Sequence, residues 1–265
     1  MRLILGSFLS FFLNAFATLS IAQINHGTCI AFCANKEFIF LAVDSQINHE
    51  DSSKTTGLKI HNLGTTTWVN TGLYRFSNLF DIDEIIMSHS NGVNNFAAQQ
   101  VLIRQTVTNK LSSVIEMVFK LSPTLYKGDD IPILVTVIMN SDGENFKMEH
   151  VNYFCKKLPN GKLYIKASLI ESNENIDGSL FNILGSNKSA KPVMDKLIAM
   201  DSPNDITTNW HVPTHLEFKF QNIAEILYYF VYLETMGNPS DVGEPISVVR
   251  IDKNGVTGLI NYPIK

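Results

Sequence analysis

Three side chains near the start of the chain have the types that nucleophilic hydrolysis needs. They are Thr28, preceded by Gly27; Asp44, sixteen residues further on; and Lys59, thirty-one residues beyond the threonine. A threonine hydroxyl is a poor nucleophile at neutral pH and needs a base within hydrogen-bond reach. An α-amino group titrates at about 7.7–8.0, so a threonine at a chain's N-terminus carries its own base on one carbon skeleton. If Asp44 and Lys59 lie on neighbouring strands, they form a buried ion pair beneath that hydroxyl. The ammonium then lowers the α-amine pKa and holds the oxygen oriented. The attacked carbonyl needs a backbone N–H for its developing negative charge. All of this requires Thr28 to become N-terminal. Gly27 has no side chain, so the strained backbone of an internal N-to-O acyl shift is accessible there.

The residues ahead of Gly27 fit such processing. Residues 1–22 place Arg2 before an apolar stretch from Leu3 to about Phe16, with small residues at Ser20 and Ala22. This is the three-part pattern of a secretory signal peptide cut after Ala22, which leaves residues 23–27 as a short propeptide. A single membrane anchor is the alternative. Ser7, Ser10 and Asn14 interrupt the stretch and no basic flank follows it, which disfavours an anchor. No later stretch reaches about 18 apolar residues, so no further span is expected. The mature chain is expected to be soluble and exported, secreted or periplasmic.

The elements that must position these residues follow from pattern. Thr28 to Ala34 and Phe38 to Val43 are apolar runs around Asn35-Lys36-Glu37, a hairpin of largely buried strands. Leu58 to Ile60 and Thr65 to Asn70 read as two more strands, turning at Asn62-Leu63-Gly64. From Ser77 the period becomes helical, with Leu79, Ile82, Ile85, Ile86 and His89 on one face before Asn91-Gly92. A long helix follows over Asn94 to Leu121, its apolar set including Val101 and Leu102 and its end set by Pro123. Ile133 to Met139 is a continuous β-branched run that needs burial on both faces. Phe146 to Phe154 and Leu163 to Leu169 are further strands, Ala190 to Met200 and Leu216 to Thr235 helices, and Ile246 to Ile251 and Val256 to Ile260 a closing pair. Paired helices inserted as blocks between strand runs suggest two packed sheets with helices outside.

The runs Gly27-Thr28-Cys29-Ile30-Ala31-Phe32, Leu41-Ala42-Val43-Asp44-Ser45-Gln46 and Leu58-Lys59-Ile60 together resemble the proteasome β-type family of N-terminal nucleophile hydrolases, most clearly over residues 27–75. The resemblance implies an α+β, four-layer αββα sandwich of two mostly antiparallel sheets, formed by one domain over residues 28–265. It implies that Thr28 is the nucleophile freed by self-cleavage, with Asp44 and Lys59 completing the centre. It also implies Gly72 as the oxyanion N–H, Ser186 as a hydroxyl on the threonine amine, and Asp241 as a supporting carboxylate. Members assemble through helices, so a homo-oligomer is implied. Lys59 stands one residue short of the family spacing, which one deletion in the polar loop Asn48–Gly57 accounts for. Leu73-Tyr74-Arg75-Phe76 is bulkier than the family run after the glycine, Asn187 replaces a glycine, and Glu244 stands where a serine accompanies Asp241.

Other classes are poorly served. A net charge of -4 and the lack of a basic run exclude an electrostatic footprint for nucleic acid. Three cysteines make no disulfide framework, and Cys29 and Cys33 share one strand face as small buried hydrophobes. His211 and His215 have i,i+4 spacing, but Pro213 between them opposes a helical metal site. His49-Glu50-Asp51 reads as a solvated loop. No cofactor or metal is expected. The substrate is expected to be a peptide, or in a second reading a small acyl amide. In a third reading the chain has lost activity and serves as a binding or scaffold protein.

Overall fold

The computed structural model describes residues 22–25, 28–48, 54–90, 95–121, 128–176, 178–200 and 222–261. The early strands are β1 (Ala22–Asn25), β2 (Cys29–Ala34), β3 (Phe38–Asp44), β4 (Gln46–Asn48), β5 (Lys54–Thr56), β6 (His61–Leu63), β7 (Thr66–Phe76) and β8 (Phe80–Asp81). Helices α1 (Ile82–Ser90) and α2 (Phe96–Leu121) follow, then β9 (Pro132–Ser141), β10 (Phe146–Lys157), β11 (Leu163–Ser172) and β12 (Leu180–Gly185). Helices α3 (Ala190–Met200) and α4 (Ile223–Gly237) precede β13 (Ile246–Asp252) and β14 (Gly255–Ile260). One sheet runs β1-β7-β9-β10-β11, with β6 and β8 also on β7; the other runs β12-β2-β3-β13-β14; β4 and β5 form a small hairpin. Among the described residues, every strand pairing is antiparallel. The chain is thus a mixed α+β protein.

Strand β2 shows why these sequences fold this way. All six of its residues are buried. Ile30 and Phe32 join an apolar cluster with Val69, Val135, Val137 and Met139 of the other sheet. Cys29, Ala31 and Cys33 alternate with them and join a cluster with Met194 of α3 and Leu227, Phe230 and Val231 of α4. Large side chains meet the facing sheet and small ones let helices approach, which is why the run is apolar without alternation. On the first sheet, Trp68, Leu134, Ile138 and Tyr153 pack against Ile85 and Ile86 of α1 and Ile103, Val107 and Leu111 of α2. Among the described residues, no helix is long and apolar enough to cross a membrane.

Several boundaries differ from the sequence reading. Leu58 to Ile60 is not a strand: the hairpin turns at Gly64 and Thr65, and His61 opposes Trp68. Gly64 has a φ of 61°, which supports a tight two-residue turn. Helix α1 starts at Ile82, because the Asp81 carboxylate accepts the Asp83 and Glu84 N–H groups as an N-cap. Leu79 stays outside the helix and is exposed, as are Val101 and Leu102 of α2. Helix α4 begins at Ile223, where Asn222 accepts the Glu225 N–H; residues 216–221 lie outside the described residues. So do residues 1–21, Gly27, His49 to Asp51, His211 and His215.

His150 gives the fold an acid sensitivity. It is buried, with Phe32 edge-on to its ring, and burial holds its pKa down at about 4 against an ordinary 6.5. Above pH 6.5 the ring is neutral folded or unfolded, and its contribution is complete. Below that the unfolded chain takes up the proton first, so stability falls as pH drops from 6.5 towards 4, by about 3 kcal/mol in all. Urea midpoints measured at pH 7.5 and 4.5 should therefore converge in a His150→Gln protein relative to the unmodified one. Equal acid losses in both would contradict this assignment.

Candidate active site

The hairpin β2–β3 fixes the first two groups. Its turn is held by the Asn35 side chain, which accepts the N–H groups of Glu37 and Phe38. The resulting register pairs Ala34 with Ile39 and Ile30 with Val43. That pairing brings the end of β3 alongside the start of β2, so a separation of sixteen residues becomes contact. The Asp44 carboxylate accepts the Cys29 N–H at 2.9 Å and the Gln46 N–H at 3.1 Å. Lys59 is delivered by a different device. Gly57 N–H donates to Ser45 O at 2.8 Å, closing the β4–β5 excursion on itself and returning the chain to Asp44. That closure, rather than a strand pairing, brings Lys59 to Asp44.

The three side chains converge. Lys59 Nζ donates to Asp44 Oδ2 at 2.9 Å and to Thr28 Oγ1 at 3.0 Å. All three residues are buried, with exposures of 0% for Thr28, 1% for Asp44 and 5% for Lys59. Burial is the largest influence on both charges. It draws the Lys59 ammonium below its ordinary pKa and lifts the Asp44 carboxyl above the usual carboxylate range, each moderated by the other's charge. An ammonium weakened in this way is better able to exchange a proton with the hydroxyl it touches. The neighbouring Cys29 thiol is pushed well up, first by burial and then by Asp44 and Glu234, so it stays protonated and inert. Cys29, Cys33 and Cys155 are all free and buried.

Gly72 lies inside strand β7 rather than in a turn. Its φ is 99°, and a Cβ there would run into the Ile133 carbonyl of β9. It is paired with Asn25 of β1, so the segment just before Thr28 runs along this edge of β7. Ser186 adjoins Thr28 through its main chain: its N–H donates to the Thr28 carbonyl at 2.9 Å. The Ser186 hydroxyl instead donates to Glu234 Oε1 at 2.9 Å and accepts from Asn238 Nδ2 at 2.9 Å. Asp241 accepts from the same Asn238 amide at 3.0 Å. Ser186 and Asp241 are thus joined through Asn238, beside Thr28 rather than in hydrogen-bond contact with its side chain.

Two residues of this site escape a reading of the sequence. Gly185 has a φ of 77°, and a Cβ on it would strike the Thr28 carbonyl and the Thr71 hydroxyl. Its signal was the glycine of Leu184-Gly185-Ser186. A Gly185→Ala change should cost at least about 1–2 kcal/mol for the left-handed backbone alone. It should also displace Thr28, visible as a lower melting temperature. A chain as stable as the original would show that this close approach does not matter. Glu234 is the second, an acid in the apolar run of α4.

No family model and no curated protein matches the sequence. Among solved structures, the chain is similar to an Anbu (Gly-1) mutant from Hyphomicrobium sp. strain MC1, with a TM-score of 0.49 and 13% identity, covering 88% of this chain and 87% of that one. It is similar to the same degree, TM-score 0.49 and 16% identity, to Anbu (ancestral beta-subunit) from Yersinia bercovieri, covering 88% of each chain. Neither likeness is close enough to carry the chemistry, which is read from the chain's own residues.

Proposed function

We propose that this chain is an exported N-terminal threonine hydrolase of proteasome β type, a peptidase that frees its nucleophile by cutting Gly27–Thr28. In this reading residues 1–22 are a signal peptide, 23–27 a propeptide, and 28–265 one four-layer αββα domain. The observation that carries it is the buried triangle of Thr28 Oγ1, Lys59 Nζ and Asp44 Oδ2, with edges of 3.0 and 2.9 Å at the lysine. A lysine that gives one proton to a carboxylate and another to a hydroxyl fixes that oxygen's position and favours its negative charge.

In self-cleavage the Thr28 oxygen adds to the Gly27 carbonyl carbon and the C–N bond breaks. The hydroxyl proton passes to the leaving nitrogen, and an ester joins Gly27 to Thr28. Water then hydrolyses that ester, releasing a Gly27 carboxylate and the Thr28 α-amine. In turnover that amine takes the hydroxyl proton, directly or through one water, as the oxygen adds to the substrate carbonyl, and returns it to the leaving nitrogen as the C–N bond breaks. Water then hydrolyses the acyl ester, releasing the acid and restoring the Thr28 hydroxyl. Gly72 is proposed to donate its N–H to the oxyanion, since β1 brings the preceding residues along β7 at that point. Because the chain's own segment lies there as an extended strand, a peptide backbone is favoured over a compact acyl amide.

The test is hydrolysis by the full chain after expression with its leader. Short peptide amides should be turned over at least tenfold faster than simple acyl amides of the same leaving group. Equal or inverted rates would move the assignment to an amidase, and no release from either would leave a binding protein.

A further inference from the structure

Glu234 sits in α4 with its carboxylate fully buried. One oxygen accepts the Ser186 hydroxyl at 2.9 Å; the other accepts the Ser189 and Ala190 N–H groups, at 2.8 and 3.2 Å, where α3 begins. Three donors and a helix N-terminus meet this buried carboxylate. None of the ion pairs among the described residues involves Glu234. The consequence falls on Ser186. A hydroxyl has one proton, and that of Ser186 is committed to Glu234. With the Asn238 amide on one lone pair, what the Ser186 oxygen has left to offer is a second lone pair. A free lone pair suits an ammonium and repels an oxyanion.

Resting on the hydrolase reading, we propose that Glu234 is a positioning residue that holds Ser186 as an acceptor for the Thr28 α-ammonium, and so sets the pH at which that amine becomes a free base. Among the described residues, the charged and titratable groups around Thr28 are Asp44 from β3, Lys59 from the segment before β6, Cys29 from β2, and, reached through Ser186 and Asn238, Glu234 from α4 and Asp241 from the loop after it. Lys188, in the β12–α3 loop, is exposed. Asp44 is answered by Lys59 at 2.9 Å. The new ammonium supplies the positive charge on the Glu234 side. A neighbouring anion favours the protonated amine and raises its pKa, so removing the anion lowers it. The amine works as a free base, so the acid limb of activity follows that pKa.

The experiment compares kcat/KM against pH for the full chain, its Glu234→Gln variant and its Ser186→Ala variant, on one short peptide amide. Glu234→Gln should move the acid limb to lower pH by about one unit. Ser186→Ala keeps both the α3 cap and the main-chain bond to Thr28, so it reports on the proposal even if Glu234→Gln fails to fold, and should move the limb the same way. An unmoved limb in both, with only a lower plateau, would make Glu234 a helix cap and overturn the proposal. An unmodified chain that hydrolyses nothing would instead overturn the hydrolase reading, and this role with it.

Discussion

A Thr28→Ala protein is expected to keep residues 23–27 and to hydrolyse nothing above background. In the proposed reading, nucleophilic attack and self-cleavage both depend on one hydroxyl. Removing it should lower peptide turnover by at least about 10³-fold, the scale on which single members of a catalytic unit act. The fold should survive. The change deletes a hydroxyl and a methyl from a buried position, while Asp44 keeps its Lys59 partner and the Cys29 and Gln46 N–H groups. Unfolding measurements beside the assay separate the two effects. A folded Thr28→Ala protein that still turns over substrate would mean the nucleophile lies elsewhere.

Lys59→Ala should do the opposite to stability while matching the loss of activity. It strands the Asp44 carboxylate, 1% exposed, with two backbone donors and no counter-charge. Breaking one side of a buried pair costs about 3–5 kcal/mol, because the remaining charge stays desolvated. Asp44→Asn combined with Lys59→Met should recover more than half of that loss, since neither charge is then left alone, yet recover no activity. A double variant as unstable as Lys59→Ala would show that packing, not the pair, is what the lysine supplies. Restored activity would show that neither residue takes part in the chemistry.

What could be read from sequence was the part set by local rules. The runs Thr28 to Ala34 and Phe38 to Val43, split by Asn35-Lys36-Glu37, made the hairpin legible, while the pairing of Asp44 with Thr28 came from the resemblance and the register from the structure. The Ala190–Met200 helix was legible for the same reason. Lys59 was found by its spacing and its resemblance to a family run, although the strand assigned to it is absent. Its position is fixed by Gly57 bonding back to Ser45, a contact that leaves no period in the chain. Val101 and Leu102 fitted a helical apolar face and stand exposed, because periodicity cannot tell a face that packs on the sheet from one that does not. Gly185 and Glu234 act across distance: Glu234 meets Ser186 from 48 residues away, and Gly185 is demanded by the Thr28 carbonyl. Tertiary partners of this kind impose residue types without local signals.

In the proposed reading Thr28 becomes the first residue of the working protein. Intact-mass measurement and N-terminal sequencing of the chain, expressed with its leader and collected after export, test that directly. A polypeptide beginning Thr28-Cys29-Ile30 is expected. One beginning at Gln23, folded and stable over days, would contradict it.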